Sequence, residues 1–299
     1  MVTINVICGG NSAEREVSLR SGAAVAKALN EAGYEVRTLD AASATIKEII
    51  ACNVVFPVLH GVGGEDGTLQ AELEKHGAKY VGSGPEASKL CFDKWAYRKV
   101  ITAAGLPMPK ADTVQHHQHA GHELAQDLHV LKPIEGGSSI DTFIVRDLTR
   151  VPYDAITETF ERYPEMLIEE LIEGTELTVG VLGDEALPII KIVPPASGEF
   201  DYENKYNGAS QEIVAPEDVP ASIQKAAQDL ALKAHRLTGC RDFSRTDIMC
   251  DKSGKLFLLE TNTIPGMTDQ SLFPKMATGA GLSMPELCAQ LVKLALKRA

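Results

Sequence analysis

Short apolar runs alternate with helix-length amphipathic runs from residue 3 onward, and this alternation restricts the chain to a layered α/β fold. TINVICGG reads as a strand stopped by Gly9-Gly10, and VSLRSGAAVAKALNEAG has helical spacing up to Gly33. YEVRTLD and NVVFPVLHG are the second and third strands, the latter ending at His60-Gly61, and DGTLQAELEKHG is helical again. PEASKLCFDKWAYRKVITAAG, opened by Pro85 and closed by Gly105, reads as one longer helix. Strands joined by helices pair in parallel.

LPMPKAD, with Pro107 and Pro109, reads as a linker, and the texture changes after it. LHVLKP and IDTFIVRD are strands around the loop EGGSS, PYDAITETFERYP is a helix, and EMLIEELI is a strand or an extended hinge. ELTVGVLGDEALPIIKIVP is a hairpin turning at Gly183-Asp184, and SRTDIMCDKSGKLFLLET is a second one turning at Asp251–Gly254. PASIQKAAQDLALKAHRLTG and the closing MPELCAQLVKLALKRA are helices. The predicted organisation is an N-terminal parallel α/β domain over 1–95, a small central α+β domain over 96–180 and a C-terminal α+β domain over 181–299. GEFDYENKYNGASQEIVAP is long and polar with no core pattern, as functional or disordered loops are.

A net charge of -12 argues against general nucleic-acid binding, which needs phosphate-neutralising Lys and Arg. The six cysteines form no C-x-x-C pair and read as reduced, small apolar residues suited to a reducing cytoplasm. No run reaches the ~18 apolar residues of a membrane span, and MVTINVICGG lacks a signal peptide's basic start. The expectation is a cytoplasmic protein with no membrane or nucleic-acid partner. The histidine-rich stretch His116–His122 is irregularly spaced and reads as solvated polar chain rather than a metal tract.

The chemistry concentrates in KLFLLETNTIPGMT (Lys255–Thr268). Residues two apart on a strand share a face, so Glu260 and Asn262 point the same way, and the hairpin turn allows Asp247 to lie opposite them. Two carboxylates and an amide oxygen that converge call for a cation, and hard oxygen donors in small number suit Mg²⁺. Lys94, Lys132 and Lys205 are candidate phosphate ligands, and EGGSS offers backbone N–H groups and hydroxyls to the same anion. Glu169 and Glu176, across a turn at Gly174, are candidate acceptors for a nucleotide's amino and hydroxyl groups. There is no G-x-x-x-x-G-K-[ST], no G-x-G-x-x-G after the first strand and no protein-kinase motif set.

Eight motifs in order, spanning nearly the whole chain, resemble the D-alanine–D-alanine ligases of the ATP-grasp superfamily. They are GGNSAEREVSLRSG (Gly9–Gly22), HGVGGEDGTLQAELE (His60–Glu74), YVGSG followed by Asp93-Lys94, KPIEGGSS (Lys132–Ser139), EELIEGTELTVGVL, FDYENKY (Phe200–Tyr206), SRTDIM and LETNTIPGMTDQSL (Leu259–Leu272). The resemblance implies an ATP-grasp fold, a homodimer and synthesis of D-alanyl-D-alanine for peptidoglycan through an acyl phosphate. It implies two Mg²⁺, replaceable by Mn²⁺, on Asp247, Glu260 and Asn262. It implies nucleotide contacts from Lys94, Lys132, Glu169 and Glu176, with Ser138, Glu170, Leu171, Ile172, Lys205, Met249 and Leu259 on the same side. Glu14 matches the carboxylate that binds the first D-alanine, with His60 beside it. Arg245 and the Gly266 N–H match an oxyanion site, and Ser271 and Leu272 match the pocket of the second D-alanine. Ser138 and Tyr206 match the group that, with Glu14, pins a lid over Phe200 to about Pro216.

The chain departs from the family pattern in three places. Asp141 follows SSI where relatives commonly have Gly, which implies a stiffer, more acidic phosphate loop. Asp242-Phe243-Ser244 precede Arg245 where Gly-Tyr-Gly is frequent, and Ala71 replaces the Gly of LQG. The alternatives are a ligase taking D-lactate, D-serine or another amino acid second, and a nucleotide-binding regulator without turnover. The intact set Arg245, Asp247, Glu260 and Asn262 speaks against the latter.

Overall fold

The computed structural model describes residues 2–194 and 210–298. Strands β1 (Thr3–Cys8), β2 (Glu35–Asp40) and β3 (Val54–Pro57) form a parallel sheet in the order β2-β1-β3. Helix α1 (Arg15–Glu31) makes the first crossover, and α2 (Ile46–Ile49) and α3 (Thr68–Lys75) follow. α1 lies close to the sheet at Gly22, where a Cβ would stand 2.6 Å from the Cys8 side chain.

The run read as one long helix is two. α4 (Pro85–Phe92) and α5 (Lys94–Ala103) meet at Asp93, whose ψ of 101° is extended and whose carboxylate accepts from the Trp95 and Ala96 N–H groups at 3.0 and 2.8 Å. The aspartate satisfies orphan donors of a new helix start. The break also lets Asp93 bridge to Glu135, and Lys94 is buried.

β4 (Ala111–Gln115), β5 (His129–Pro133), β6 (Phe143–Val145) and β7 (Glu165–Glu170) form an antiparallel sheet, β4-β7-β5-β6. α7 (Tyr153–Arg162) covers it through Ile156 and Phe160, packed with Val114, Leu131, Met166 and Ile168. The reading of His116–His122 as solvated chain is corrected in part. Gln115 and Gln118 form a capping box around the short helix α6 (His116–His119), and His119 is buried with its ring 5.6 Å from His129 and 6.1 Å from Phe160. Among the described residues no group of three or more His, Cys, Asp or Glu is placed to hold a metal.

The third sheet runs β11-β10-β8-β12-β13, with β9 (Glu185–Ala186) beside β8. Its strands are β8 (Gly174–Leu182), β10 (Ile190–Val193), β11 (Gln211–Val214), β12 (Phe243–Asp251) and β13 (Leu256–Asn262). β8 pairs with β12 along its whole length and so runs unbroken across residue 180. β11 corrects the reading of its segment as loop alone: it pairs with β10 and alternates exposed and half-buried residues, as an edge strand does. Helix α8 (Ala221–Leu237) packs on β8, β12 and β13. Helices α9 (Leu272–Gly279) and α10 (Met284–Lys297) return to the first layer, where Leu287 and Leu291 share one core with Val25, Leu29 and Phe56. Phe243 meets Phe273 edge-on at 5.5 Å in that core, a contact worth about 1 kcal/mol beyond burial. No helix among the described residues is long and apolar enough to cross a membrane.

Asp242 ties these layers together. At φ 65° its side chain accepts from the Gly82 N–H at 2.7 Å and pairs with Arg298, which also donates to the Tyr80 carbonyl. Asp242→Ala removes a buried carboxylate and puts a Cβ-only side chain in left-handed backbone. A loss of about 3 kcal/mol is expected, at the low end of the usual cost of breaking a buried pair because Arg298 can rehydrate. Urea unfolding tests this, and a change under about 1 kcal/mol would show the clamp to be dispensable.

Candidate active site

The β12–β13 hairpin sets the centre. Asp247 stands opposite Glu260 and Arg245 opposite Asn262, and the register shifts between Asp247 and Ile248. The four residues line a cavity of about 840 Å³. Arg245 donates from Nε and Nη2 to the two Asp247 oxygens at 3.0 and 2.9 Å, and the Thr178 hydroxyl donates to Oδ1 at 2.6 Å. The Asn262 side-chain oxygen accepts from the Ile264 N–H at 2.8 Å, which begins the turn at Pro265-Gly266. Gly266 lines the same cavity, and a Cβ there would stand 2.8 Å from the Ser271 hydroxyl. Ser271 is the N-cap of α9 by backbone, yet its hydroxyl bonds Thr268 and leaves the first turn without a side-chain cap. Leu272 and Lys275 line the cavity beside it.

A second chamber of about 420 Å³ adjoins the first, and Lys94, Glu176, Asp247 and Glu260 line both. Glu170, Leu171, Ile172, Met249 and Leu259 line the second, with Lys132 and Glu169. Glu169 does more than face it. It lies 2.5 Å from Lys132 and 2.9 Å from Arg98, so the carboxylate sits between two buried cations and orients Lys132. Lys94 donates to the Gly136 carbonyl at 2.5 Å, and burial lowers its pKa against the opposing pull of Glu260.

Glu14 opens α1 and faces the first chamber. The Ser138 hydroxyl donates to its carboxylate from the β5–β6 loop, so that loop and the first layer meet over the cavity. His60 is buried, its Nε2 has no hydrogen-bond partner among the described residues, and burial holds its pKa down at about 4. A neutral imidazole therefore borders the cavity. Lys205, Tyr206 and most of the expected lid lie outside the described residues.

Two contributors escaped the sequence reading. Glu65 is buried and accepts from the Gly61 N–H at 2.7 Å. Burial, then the Glu14 carboxylate, pushes its pKa up to about 8. Nothing in GGEDG distinguishes it from an exposed loop acid. Arg98 went unnamed as well, although it follows Lys94 by four residues on one helix and shares its face, a spacing that could have pointed to it.

The fit to a divalent cation rests on donor chemistry. Asp247 and Glu260 face one another, and Asp247 already takes the positive charge of Arg245, so the site asks for cations. Two carboxylates and an amide leave the rest of a coordination shell to phosphate and water, as Mg²⁺ prefers. The assembly can therefore hold a polyphosphate on one side and a zwitterion on the other, with Arg245 between.

The family model described as "D-ala D-ala ligase C-terminus" matches residues 100–293, and the one described as "D-ala D-ala ligase N-terminus" matches residues 39–83. The chain belongs to the D-alanine–D-alanine ligase family. Curated D-alanine–D-alanine ligases of Desulforudis audaxviator and Gluconobacter oxydans are 43% and 41% identical to it, each over 99% of both chains. The D-alanine–D-alanine ligase of Bacillus anthracis complexed with ATP superposes with a TM-score of 0.85 at 30% identity, over 99% of this chain and 98% of that one. The VanG D-Ala:D-Ser ligase of Enterococcus faecalis superposes with 0.82 at 30% identity, over 98% and 99%. The ATP-grasp expectation for the fold is borne out. Of the residues expected to face the nucleotide, Lys132, Glu169, Glu170, Leu171, Ile172, Met249 and Leu259 line the smaller chamber, Lys94 and Glu176 line both, and Ser138 lines the larger one with Glu14, His60, Arg245, Gly266, Ser271 and Leu272.

Proposed function

We propose that the protein joins two D-alanines into D-alanyl-D-alanine at the expense of ATP, supplying a peptidoglycan precursor. One observation carries this reading. Of two adjoining chambers, Lys94 and the Asp247–Glu260 pair line both, Lys132 lines the smaller, and Arg245 and Glu14 line the larger. A carboxylate is a poor electrophile, so it must first be activated. A carboxylate oxygen of the first D-alanine attacks the γ-phosphorus of ATP, and ADP leaves. The amine of the second, having lost a proton, attacks the acyl-phosphate carbonyl, and phosphate leaves.

The residues divide these tasks. Lys94, Lys132 and the Gly136–Ser138 backbone hold phosphate oxygens. Glu14 takes the ammonium of the first substrate, and the uncapped start of α9 at Ser271 and Leu272 takes the carboxylate of the second. Arg245 and the Gly266 N–H face the oxygen that becomes negative at the tetrahedral centre. Asp247, Glu260 and Asn262 are the residues to hold Mg²⁺, which when bound neutralises phosphate charge. A cytoplasmic homodimer belongs to the same proposal.

Phosphate release from ATP with Mg²⁺ is expected to require D-alanine and to yield a product with the mass of the dipeptide. The family's fold also serves a D-Ala:D-Ser ligase, so D-serine and D-lactate are offered as competitors for the second position. Turnover that prefers either competitor moves the specificity, and no turnover with any of them sinks the ligase reading.

A further inference from the structure

We infer that Asp141 is a positioning residue that ties the phosphate-side loop between β5 and β6 to the end of α7. Among the described residues, contacts at three places hold the loop. At its start the Lys94 N–H donates to the Ile134 carbonyl at 2.9 Å, and the Lys94 amine to Gly136. At its tip Ser138 donates to Glu14. Before β6, Asp141 pairs with Arg162 at 2.8 Å.

The third tether differs in kind from the other two. Asp141 pairs with the last residue of a helix whose Ile156 and Phe160 are locked into the central core, and among the described residues that partner lines neither chamber. Arg162 is itself braced by the Thr159 hydroxyl at 3.3 Å and lies over the Tyr163 ring at 5.8 Å. The anchor is therefore set by the packed helix rather than by the loop itself. Ser138 and Ser139 at φ 56° and Asp141 at φ 57° sit in left-handed backbone, a conformation that persists only where surroundings enforce it. Releasing Asp141 removes one enforcing contact from the stretch that carries Ser138 and the backbone N–H groups. Arg162 bonds one oxygen of the carboxylate, which offsets part of its charge beside the loop.

The inference rests on the proposed nucleotide side for its kinetic consequence but not for its structural one. Asp141→Asn keeps the shape and tolerates positive φ, and Arg162→Met keeps most of the helix-side packing. In each, the KM for ATP is expected to rise about five-fold with kcat little changed, because the loop once closed presents the same groups; a half-exposed pair supports no larger factor. The double variant is expected to do no worse than the worse single. Hydrogen exchange of the amides over 134–142, read by mass spectrometry on nucleotide-free protein, is expected to quicken by a similar factor in both. If Asp141→Asn fails to fold, Arg162→Met probes the tether from the other side. Exchange unchanged in both variants, or effects on KM that multiply in the double, overturns the inference. Absence of ATP turnover in the unaltered protein sinks the nucleotide reading instead, and the exchange rates still decide the tether.

Discussion

Asp247→Asn is expected to lower D-alanine-dependent phosphate release by about a thousand-fold while leaving the protein folded. The substitution is nearly isosteric, and an amide oxygen can still accept from the Thr178 hydroxyl, 2.6 Å away in the present structure. What vanishes is charge. The carboxylate holds Arg245 through two nitrogens and faces Glu260 across the hairpin. Its removal takes one of two anionic donors from the proposed Mg²⁺ site and frees Arg245 to collapse onto Glu260. Loss of one fixed charge-stabilising contact typically costs 10²–10³ in rate, and loss of an anionic metal donor adds to it. The stability cost is smaller, about 1–2 kcal/mol, because the pair borders a cavity that water can enter. A Mg²⁺ titration separates the two causes: a weakened metal site is partly rescued by excess metal, a displaced Arg245 is not. More than a tenth of normal turnover at ordinary Mg²⁺ would remove Asp247 from the mechanism.

The hairpin that carries this chemistry was legible because strand periodicity is simple. Alternation placed Glu260 and Asn262 on one face and the short turn brought Asp247 to their neighbourhood, but regular pairing from the turn would set Asp247 opposite Leu259, and the register shift between Asp247 and Ile248 is what brings Glu260 across from it. The parallel first layer was legible for the same reason. What sequence concealed was context. The stretch Pro85–Gly105 has unbroken helical spacing, and only the capping geometry of Asp93 divides it. Glu169 read as a nucleotide acceptor, and the presence of Arg98 on its other side depends on how α5 packs against β7. His119 read as solvated because composition says nothing of a single inward-facing ring. The C-terminal helix was placed correctly as an element, but its packing against α1 is a tertiary fact.

The two acidic departures share a physical solution. Asp141 and Asp242 both occupy left-handed backbone, at φ 57° and 65°, and each is met by an arginine at or just beyond the end of a helix, Arg162 and Arg298. Aspartate tolerates that conformation better than most side chains do. A charge placed there has to find a partner, and the partner fixes a loop or a terminus in return. The acid expected near the phosphates thus carries a tether to Arg162 that its sequence position did not reveal.

In metal-free protein, Glu65→Gln is expected to flatten the fall of stability between pH 6.5 and 8. Glu65 is buried next to Glu14, and its pKa of about 8 lies well above the ordinary carboxyl value of 4.5. The folded state therefore binds a proton that the unfolded state has released, so stability declines as pH rises from about 4.5 to about 8 and the full penalty holds above that. Three buried histidines pull the other way at lower pH. His60, His119 and His235 are held near 4 by burial, so their contribution grows with pH up to and somewhat past the ordinary imidazole value of 6.5. All three are present in both proteins, so the difference between the two stability curves from 6.5 to 8 isolates Glu65. One and a half pH units at about 1.4 kcal/mol each sets that difference at about 2 kcal/mol in favour of the variant. Glutamine keeps an oxygen to accept from the Gly61 N–H, now at 2.7 Å, so the comparison at pH 5 should show little difference. Urea midpoints at pH 5, 6.5 and 8 with a chelator present measure this directly. Parallel curves for the two proteins across that range would mean that Glu65 is ionised at neutral pH despite its burial, and the larger chamber would then carry one more fixed negative charge facing the incoming ammonium group.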